Sequence, residues 1–306
     1  MATTANTPTA AFNAERVREQ LLTPWPRIGL KGLLALGVIA LAYAWGLAGT
    51  QADPGELAKG VPNIINFFIR LMPPMWKTQA MPLLTPEVVL PLGLVAPSLG
   101  LANATVQVPE VLFALIETIQ MALIGTTLAI FISFPFGLLA ARNTSPHRLV
   151  YLGTRFLLNM NRAIPEIIFA LIFVAAVGLG PFSGVLALAL GAVGFMGKLY
   201  AEAIEAIDPQ QVLAVSATGA NRIQTFVYGV IPQAAPLVAA YSLLLFETNV
   251  RHATILGIVG AGGVGFVLSK YMALFQYQYL MGAMVLIILT VTLIDRASDA
   301  LRKRII

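Results

Sequence analysis

The chain has 306 residues, 58% of them hydrophobic and 11% charged, with a net charge of +5; soluble domains carry about 25% charged residues, so a water-soluble domain is excluded and a membrane protein is indicated. There is no cysteine, and His147 and His252 are the two histidines, which removes disulfide frameworks, thiolate sites and imidazole-built metal centres. The positive balance says little about partners, because membrane proteins keep Lys and Arg in cytoplasmic loops; no nucleic-acid partner is expected.

Residues 1–31 read as a cytoplasmic N-terminal tail. A spanning helix needs about 20 mostly apolar residues, and uncharged windows of that kind lie at 32–52, 118–141, 223–246 and 271–294. A longer window, 167–197, is interrupted by "GLGPFSG" and reads as two helices, 149–177 and 182–200, joined by a tight turn, for six spans in all. The first window ends in small residues that mimic a signal-peptide cleavage point, but its apolar core exceeds the usual 7–15 residues, which favours a retained transmembrane helix. Between the first two spans, residues 53–110 contain Pro82, Pro86, Pro91 and Pro97, each of which removes a backbone donor that lipid could not replace. That segment is therefore expected to be extracytoplasmic or interfacial. Within it "VPNIINFFIRLMPPMW" has apolar residues at near-helical spacing beside Arg70, which fits either a helix on the membrane surface or an ordinary packed loop helix.

Thirteen cations fall on one side of this six-span layout: Arg16, Arg18, Arg27, Lys31, Arg142, Arg148, Arg155, Lys198, Arg222, Arg296, Arg302, Lys303 and Arg304. Both termini are accordingly expected in the cytoplasm. Ionisable residues within spans are costly and face protein or a watery cavity. Arg162 and Glu166, and likewise Glu247 and Arg251, stand four residues apart, the spacing of one helix face. Such pairs either neutralise each other and hold the bundle, or line an anion path together with Asn249 and His252, since guanidinium forks fit oxyanions. Glu117 is a lone carboxylate near the outer part of the second span.

The stretch "RHATILGIVGAGGVGF" spells G-x-G-x-x-G at Gly260, Gly262 and Gly265, with Gly263 inside it. A dinucleotide site needs a preceding strand and an acidic residue about 20 positions on, yet no Asp or Glu occurs between Glu247 and Asp295. Close backbone approach or a sharp turn beside a transport path explains these glycines better. "GAVGFMGKL" misses the phosphate-loop spacing, and G-x-S-x-G and H-E-x-x-H are absent, so no catalytic residue is expected and any fuel is hydrolysed by another chain.

The segment 206–232 is too short to span. Asp208 and Pro209 read as an N-cap and first helical position, and the helix they open ends near Gly219. Here the sequence resembles the coupling loop of ABC importer permeases, with consensus EAA, three residues, G, nine residues, I-x-L-P. Leu213, Ala214 and Val215 stand at the EAA positions, Gly219 at the glycine, and Gly229, Val230, Ile231 and Pro232 at I-x-L-P; the glutamate is missing and Val215 replaces the second alanine. "NRAIPEIIFALIFVAAVGLGPFSGVLALAL", "GKLYAEAIEAIDP", "ATGA" at 217–220 and "YSLLLFETNVRHATILGIVGAGGVG" are similar to the permease subunit of importers for phosphonate, phosphite and related phosphorus anions. The resemblance covers 109–306 and is weak over 1–108.

It implies an all-α, polytopic helical bundle of the methionine-importer-like (MetI-like) permease fold over 111–306, set in the plasma (inner) membrane among lipid, with a coupling loop at 206–222. It also implies a homodimer of permeases, a cytoplasmic ATPase dimer that holds ATP and magnesium while this chain holds no cofactor, and an extracytoplasmic substrate-binding protein. Asp208, Pro209, Ala214, Ala217, Gly219, Ala220 and Pro232 would shape the ATPase contact, the small residues keeping its surface low. Other solutes remain open as cargo. A secondary transporter would show paired halves with broken helices, and no such repeat is visible; a membrane-embedded hydrolase lacks a nucleophile with a base in reach.

Overall fold

The computed structural model describes residues 30–50, 54–82 and 105–305, and the chain divides into two compact units, 1–66 and 67–306. In the first unit, α1 (Leu30–Thr50) exposes more than half of each large apolar side chain from Leu33 to Leu47, as suits a helix solvated by lipid. The helix α2 (Pro54–Leu71) begins in this unit and ends in the second. Its Glu56, Lys59, Asn63, Asn66 and Arg70 recur at alternating steps of three and four, which gathers them into one polar stripe. Val61, Ile64, Ile65, Phe68 and Ile69 stand exposed on the rest of its surface.

Two strands, β1 (Thr78–Pro82) and β2 (Thr105–Pro109), pair antiparallel from Thr78↔Pro109 to Pro82↔Thr105. Apart from this short ladder the described elements are helical, as expected. Each strand ends on a proline, which cannot extend a ladder, and Lys77 O accepts the N–H of Glu110 to pass the chain into the next helix. Pro86, Pro91 and Pro97 lie outside the described residues.

The helices of the bundle are α3 (Glu110–Ala140), α4 (Arg148–Ala163), α5 (Glu166–Val177), α6 (Pro181–Glu205), α7 (Pro209–Ala217), α8 (Arg222–Thr225), α9 (Ile231–Leu256), α10 (Gly263–Ala273) and α11 (Tyr277–Ile305). A π-turn, Phe226–Val230, joins α8 to α9, and a 3-10 turn, Gly257–Val259, ends α9. Among the described residues five helical stretches are long and apolar enough to span, and a sixth if α4 and α5 count as one.

That pair corrects the expected continuous span 149–177: α4 and α5 meet at 82°. Pro165 is the cause. Its ring excludes α geometry at the residue before it, and Ile164 is extended at φ −91, ψ 117.

The charge-free windows also misplace helix ends: α9 runs on to Leu256 rather than 246, and the window 271–294 starts within α10 whereas α11 begins at Tyr277. α3 begins at Glu110 rather than at 118 because both carboxylates in that stretch find partners: Glu110 accepts from Lys270 Nζ at 2.8 Å and Tyr271 Oη at 3.2 Å, and Glu117 accepts the N–H of Gly263 at 3.3 Å. α11 continues past 294 to Ile305 for the same reason, its Asp295 and Arg302 being paired to α9.

α6 is the central helix, with sixteen of its 25 residues buried. Small residues let the others approach: Gly184, Gly191, Gly194 and Gly197 form a line of steps of seven, three and three, and a Cβ on Gly197 would lie 2.7 Å from Leu158 Cδ2. Between lipid-solvated helices there is no hydrophobic contrast to exploit, so close packing of small residues holds the bundle.

Candidate functional site

The break at Ile164–Pro165 builds one site. Asn161, on the last turn of α4, accepts the N–H of Gly194 at 2.7 Å and donates to Leu190 O at 3.0 Å, so the end of α4 is pinned to α6. A Cβ on Gly194 would meet Leu158 O at 2.6 Å and Arg162 N at 2.7 Å; only glycine allows that crossing. Glu166, in the first turn of α5, lies across Gly191 and forms an ion pair with His252 of α9.

Arg162 and Glu166 do not pair with each other, contrary to the four-residue spacing, because the 82° break separates their helices. The Arg162 guanidinium instead lies 6.0 Å above the Phe195 ring, and no ion pair joins it to a carboxylate among the described residues. Arg162, Pro165, Glu166, Phe195, His252 and Ile255 line an open cavity of about 430 Å³. With His252 engaging Glu166, Arg162 is left facing this space without a carboxylate partner among the described residues.

Glu247 and Arg251 belong elsewhere. Arg251 donates to Glu247 at 2.6 Å and to Asp295 of α11 at 2.8 Å, and Arg302 approaches the other Glu247 oxygen at 3.5 Å. The spacing of Glu247 and Arg251 was legible; Asp295 and Arg302, 44 and 55 positions away, carried no local signal. Asn249 points a third way, fully buried, and donates to Thr126 Oγ1 at 2.9 Å. The six residues grouped by sequence therefore divide among the α5 face, the α11 face and the α3 face of α9.

The glycine segment turns beside another. Gly260 at φ 90 and Gly262 at φ 81 occupy left-handed backbone that other residues rarely adopt. Gly260 O accepts the N–H of Gly180 at 3.0 Å, so this turn abuts the α5–α6 turn, while Gly263 (φ 68) opens α10 and Gly265 packs it against the end of α9. Glu117 and Thr118 of α3 hold the start of α10: Glu117 accepts the N–H of Gly263, and Thr118 Oγ1 that of Val264 at 2.9 Å. A carboxylate is well placed at a helix N-terminus. The chain before these glycines is helical, not a strand.

In the 206–232 loop, Asp208 accepts the N–H of Gln210 at 2.9 Å, Pro209 takes the first helical position, and no residue of α7 is buried. Leu213, Ala214 and Ala217 are exposed, Gly219 follows at φ 85, and Ala220 is half-buried. Asn221 and Gln224 then form a reciprocal cap that opens α8. Pro232 lies just inside α9. Gln233, which sequence reading passed over, joins Asp208 to Gly229 through its side-chain amide.

The family profile described as "Binding-protein-dependent transport system inner membrane component" matches residues 133–306. The Phosphite transport system permease protein PtxC of Stutzerimonas stutzeri is 45% identical over 189 residues, 62% of this chain and 69% of that one. The Putative phosphite transport system permease protein HtxC of the same organism is 37% identical over 262 residues, 86% of this chain and 82% of that one. A solved inward-facing MetNI methionine ABC transporter chain superposes with a TM-score of 0.57 at 23% identity, over 64% of this chain and 96% of its own, which shows the fold. The chain belongs to the family of inner membrane components of binding-protein-dependent transport systems, as a multi-pass permease of ABC importers and not an enzyme.

Proposed function

We propose that this permease carries a phosphorus oxyanion of the phosphonate and phosphite class through a path along the α4–α5 break. The observation that carries the reading is the cavity at Pro165, where Arg162 presents a guanidinium with no carboxylate partner among the described residues, beside the Glu166–His252 pair. A guanidinium fork matches the oxygens of such an anion, and the Phe195 face holds the cation without neutralising it. The relatives' printed substrate, phosphite, agrees with that chemistry.

In this reading two copies of the chain enclose the path, with both termini in the cytoplasm as the Lys and Arg distribution favours. The family's binding protein delivers the anion outside, and α7 stands in the groove of an ATPase subunit. Leu213, Ala214 and Ala217 form its exposed, low contact face, flanked by Gly219 and Ala220, while the glycine turns at Gly178–Gly180 and Gly260–Gly263 border the outer end of the path.

Arg162→Gln tests it in the reconstituted transporter. Uptake of radiolabelled phosphite is expected to fall about tenfold or more, the worth of one charged hydrogen-bonding partner, while ATPase subunits still co-purify. Unchanged uptake removes Arg162 from the path.

A further inference from the structure

Between α7 and the long helix α9 the backbone widens: the N–H of Ile231 reaches back five residues to Phe226 O. Pro232 supplies the reason. In α geometry its ring would press on the carbonyl of Tyr228, four residues back, and it has no N–H to offer; a π-turn relieves the clash. The widened turn leaves carbonyls in search of donors, and Gln233 serves one, its Nε2 donating to Gly229 O at 2.6 Å.

The other end of the same amide accepts the N–H of Asp208 at 2.9 Å. Asp208 is the cap of α7 and accepts Gln210 N–H through its carboxylate. One side chain thus ties the base of α7 to the mouth of α9. The second contact is weaker: a Cβ on Gly229 would lie 3.4 Å from Val212 Cα and 3.7 Å from the Val215 side chain, so α7 rests its inner edge on the π-turn through van der Waals contact. Behind the turn lie cavities of about 700 and 180 Å³, both bordered by Leu138, Phe226 and Val230. The turn has room to move, whereas the Asp208–Gln233–Gly229 link has little slack.

We propose that Gln233 is the positioning residue through which displacement of α7 is delivered to α9. A shift of the Asp208 N–H draws on an amide rooted in the first turn of α9, and the π-turn, bonded at both edges, follows rather than absorbing the motion. With Gln233 removed, α7 joins α9 through the Val212 and Val215 contact and the chain 218–230 alone, and the π-turn takes up the stroke. The proposal rests on the reading of α7 as the ATPase contact.

The test uses the complete transporter, permease with ATPase and binding protein, in proteoliposomes, with ATP hydrolysis and radiolabelled phosphite uptake measured together. Gln233→Ala is expected to keep hydrolysis and to lower uptake per ATP roughly fivefold or more. Gln233→Glu is nearly isosteric and keeps the acceptor for Asp208 while losing the donor to Gly229; a link that needs both ends predicts the same uncoupling. A parental ratio of uptake to hydrolysis in either variant overturns the proposal. Leu213→Asp, on the exposed face of α7, separates the two levels: if ATPase stays bound to it, the α7 reading fails, whereas loss of ATPase there with normal coupling in Gln233→Ala defeats the Gln233 link alone.

Discussion

Glu247→Gln is expected to lower the melting temperature of the protein in detergent, and Arg302→Gln added in the same chain is expected to cost less than it does alone. Glu247 is the least exposed member of its cluster, with a side chain 13% accessible, and it meets Arg251 at 2.6 Å and Arg302 at 3.5 Å. Two residues on, Asn249 bonds Thr126, near the middle of the 31-residue α3, so the cluster sits well inside the span. As built it sets two guanidinium groups against three carboxylates, since Arg302 also meets the more exposed Asp299 at 3.3 Å. Removal of the Glu247 charge leaves Arg251 on Asp295 at 2.8 Å and Arg302 on Asp299 at 3.3 Å, so the loss is that of the bridge between the two guanidinium groups, about 1–3 kcal/mol for charged hydrogen bonds; once the bridge is gone, removal of Arg302 has less left to break. Arg302→Gln alone should cost little, because Glu247 keeps Arg251. Thermal stability of the four proteins in detergent closes the cycle. Additive losses would show that Glu247 and Arg302 do not interact and that α9 and α11 are joined by packing alone.

The long apolar helices were legible because lipid demands long apolar runs, and such runs stand out in this composition. Their ends were not. An uncharged window stops at the first carboxylate, yet Glu110, Glu117 and Asp295 continue their helices because partners from α10 and α9 satisfy them across more than 40 positions of sequence. Pro165 was in plain view, but its flanks are apolar on both sides, and hydropathy is blind to a bend that the proline's neighbour cannot avoid. The cap at Asp208 was legible because N-capping is local chemistry. Gln233 was not: its two hydrogen bonds reach 25 positions back to Asp208 and into a π-turn that no periodicity announces.

That contrast also explains how the expected path residues divide. Helical spacing reports which side chains share a face of one helix and says nothing of what that face meets. Arg251 and His252 are adjacent in sequence and about 100° apart around α9, enough to send one to Asp295 of α11 and the other to Glu166 of α5. The side whose arginines are held by carboxylates joins α9 to α11; the side facing Arg162, which has no carboxylate partner among the described residues, borders the cavity at the break. A guanidinium held by carboxylates suits a fixed joint, and one without such a partner suits a site that receives an anion, which is why the transport path is proposed on the α5 face and not the α11 face.

Gly265→Ala is expected to prevent α10 from docking on the end of α9. A Cβ at Gly265 would fall far inside van der Waals contact distance of Thr254 O and 2.9 Å from Gly257 Cα; on the facing backbone, a Cβ at Gly257 would lie 2.6 Å from Phe266 N and 2.7 Å from Gly265 Cα. These are main-chain atoms, with no rotamer to yield, so the clash is relieved only if α10 moves off the end of α9. Overpacking that shifts backbone costs about 3 kcal/mol or more, and the displacement would also draw the α10 N-terminus from Glu117 and Thr118. Gly153→Ala is the control: nothing lies within 4 Å of a Cβ on that exposed turn of α4, and better helix propensity should leave stability equal or slightly raised. Size-exclusion profiles and melting temperatures of the two variants in detergent give the comparison. A Gly265→Ala protein that melts with the parent would mean the glycine serves something other than this crossing, and the dinucleotide spelling would need another explanation.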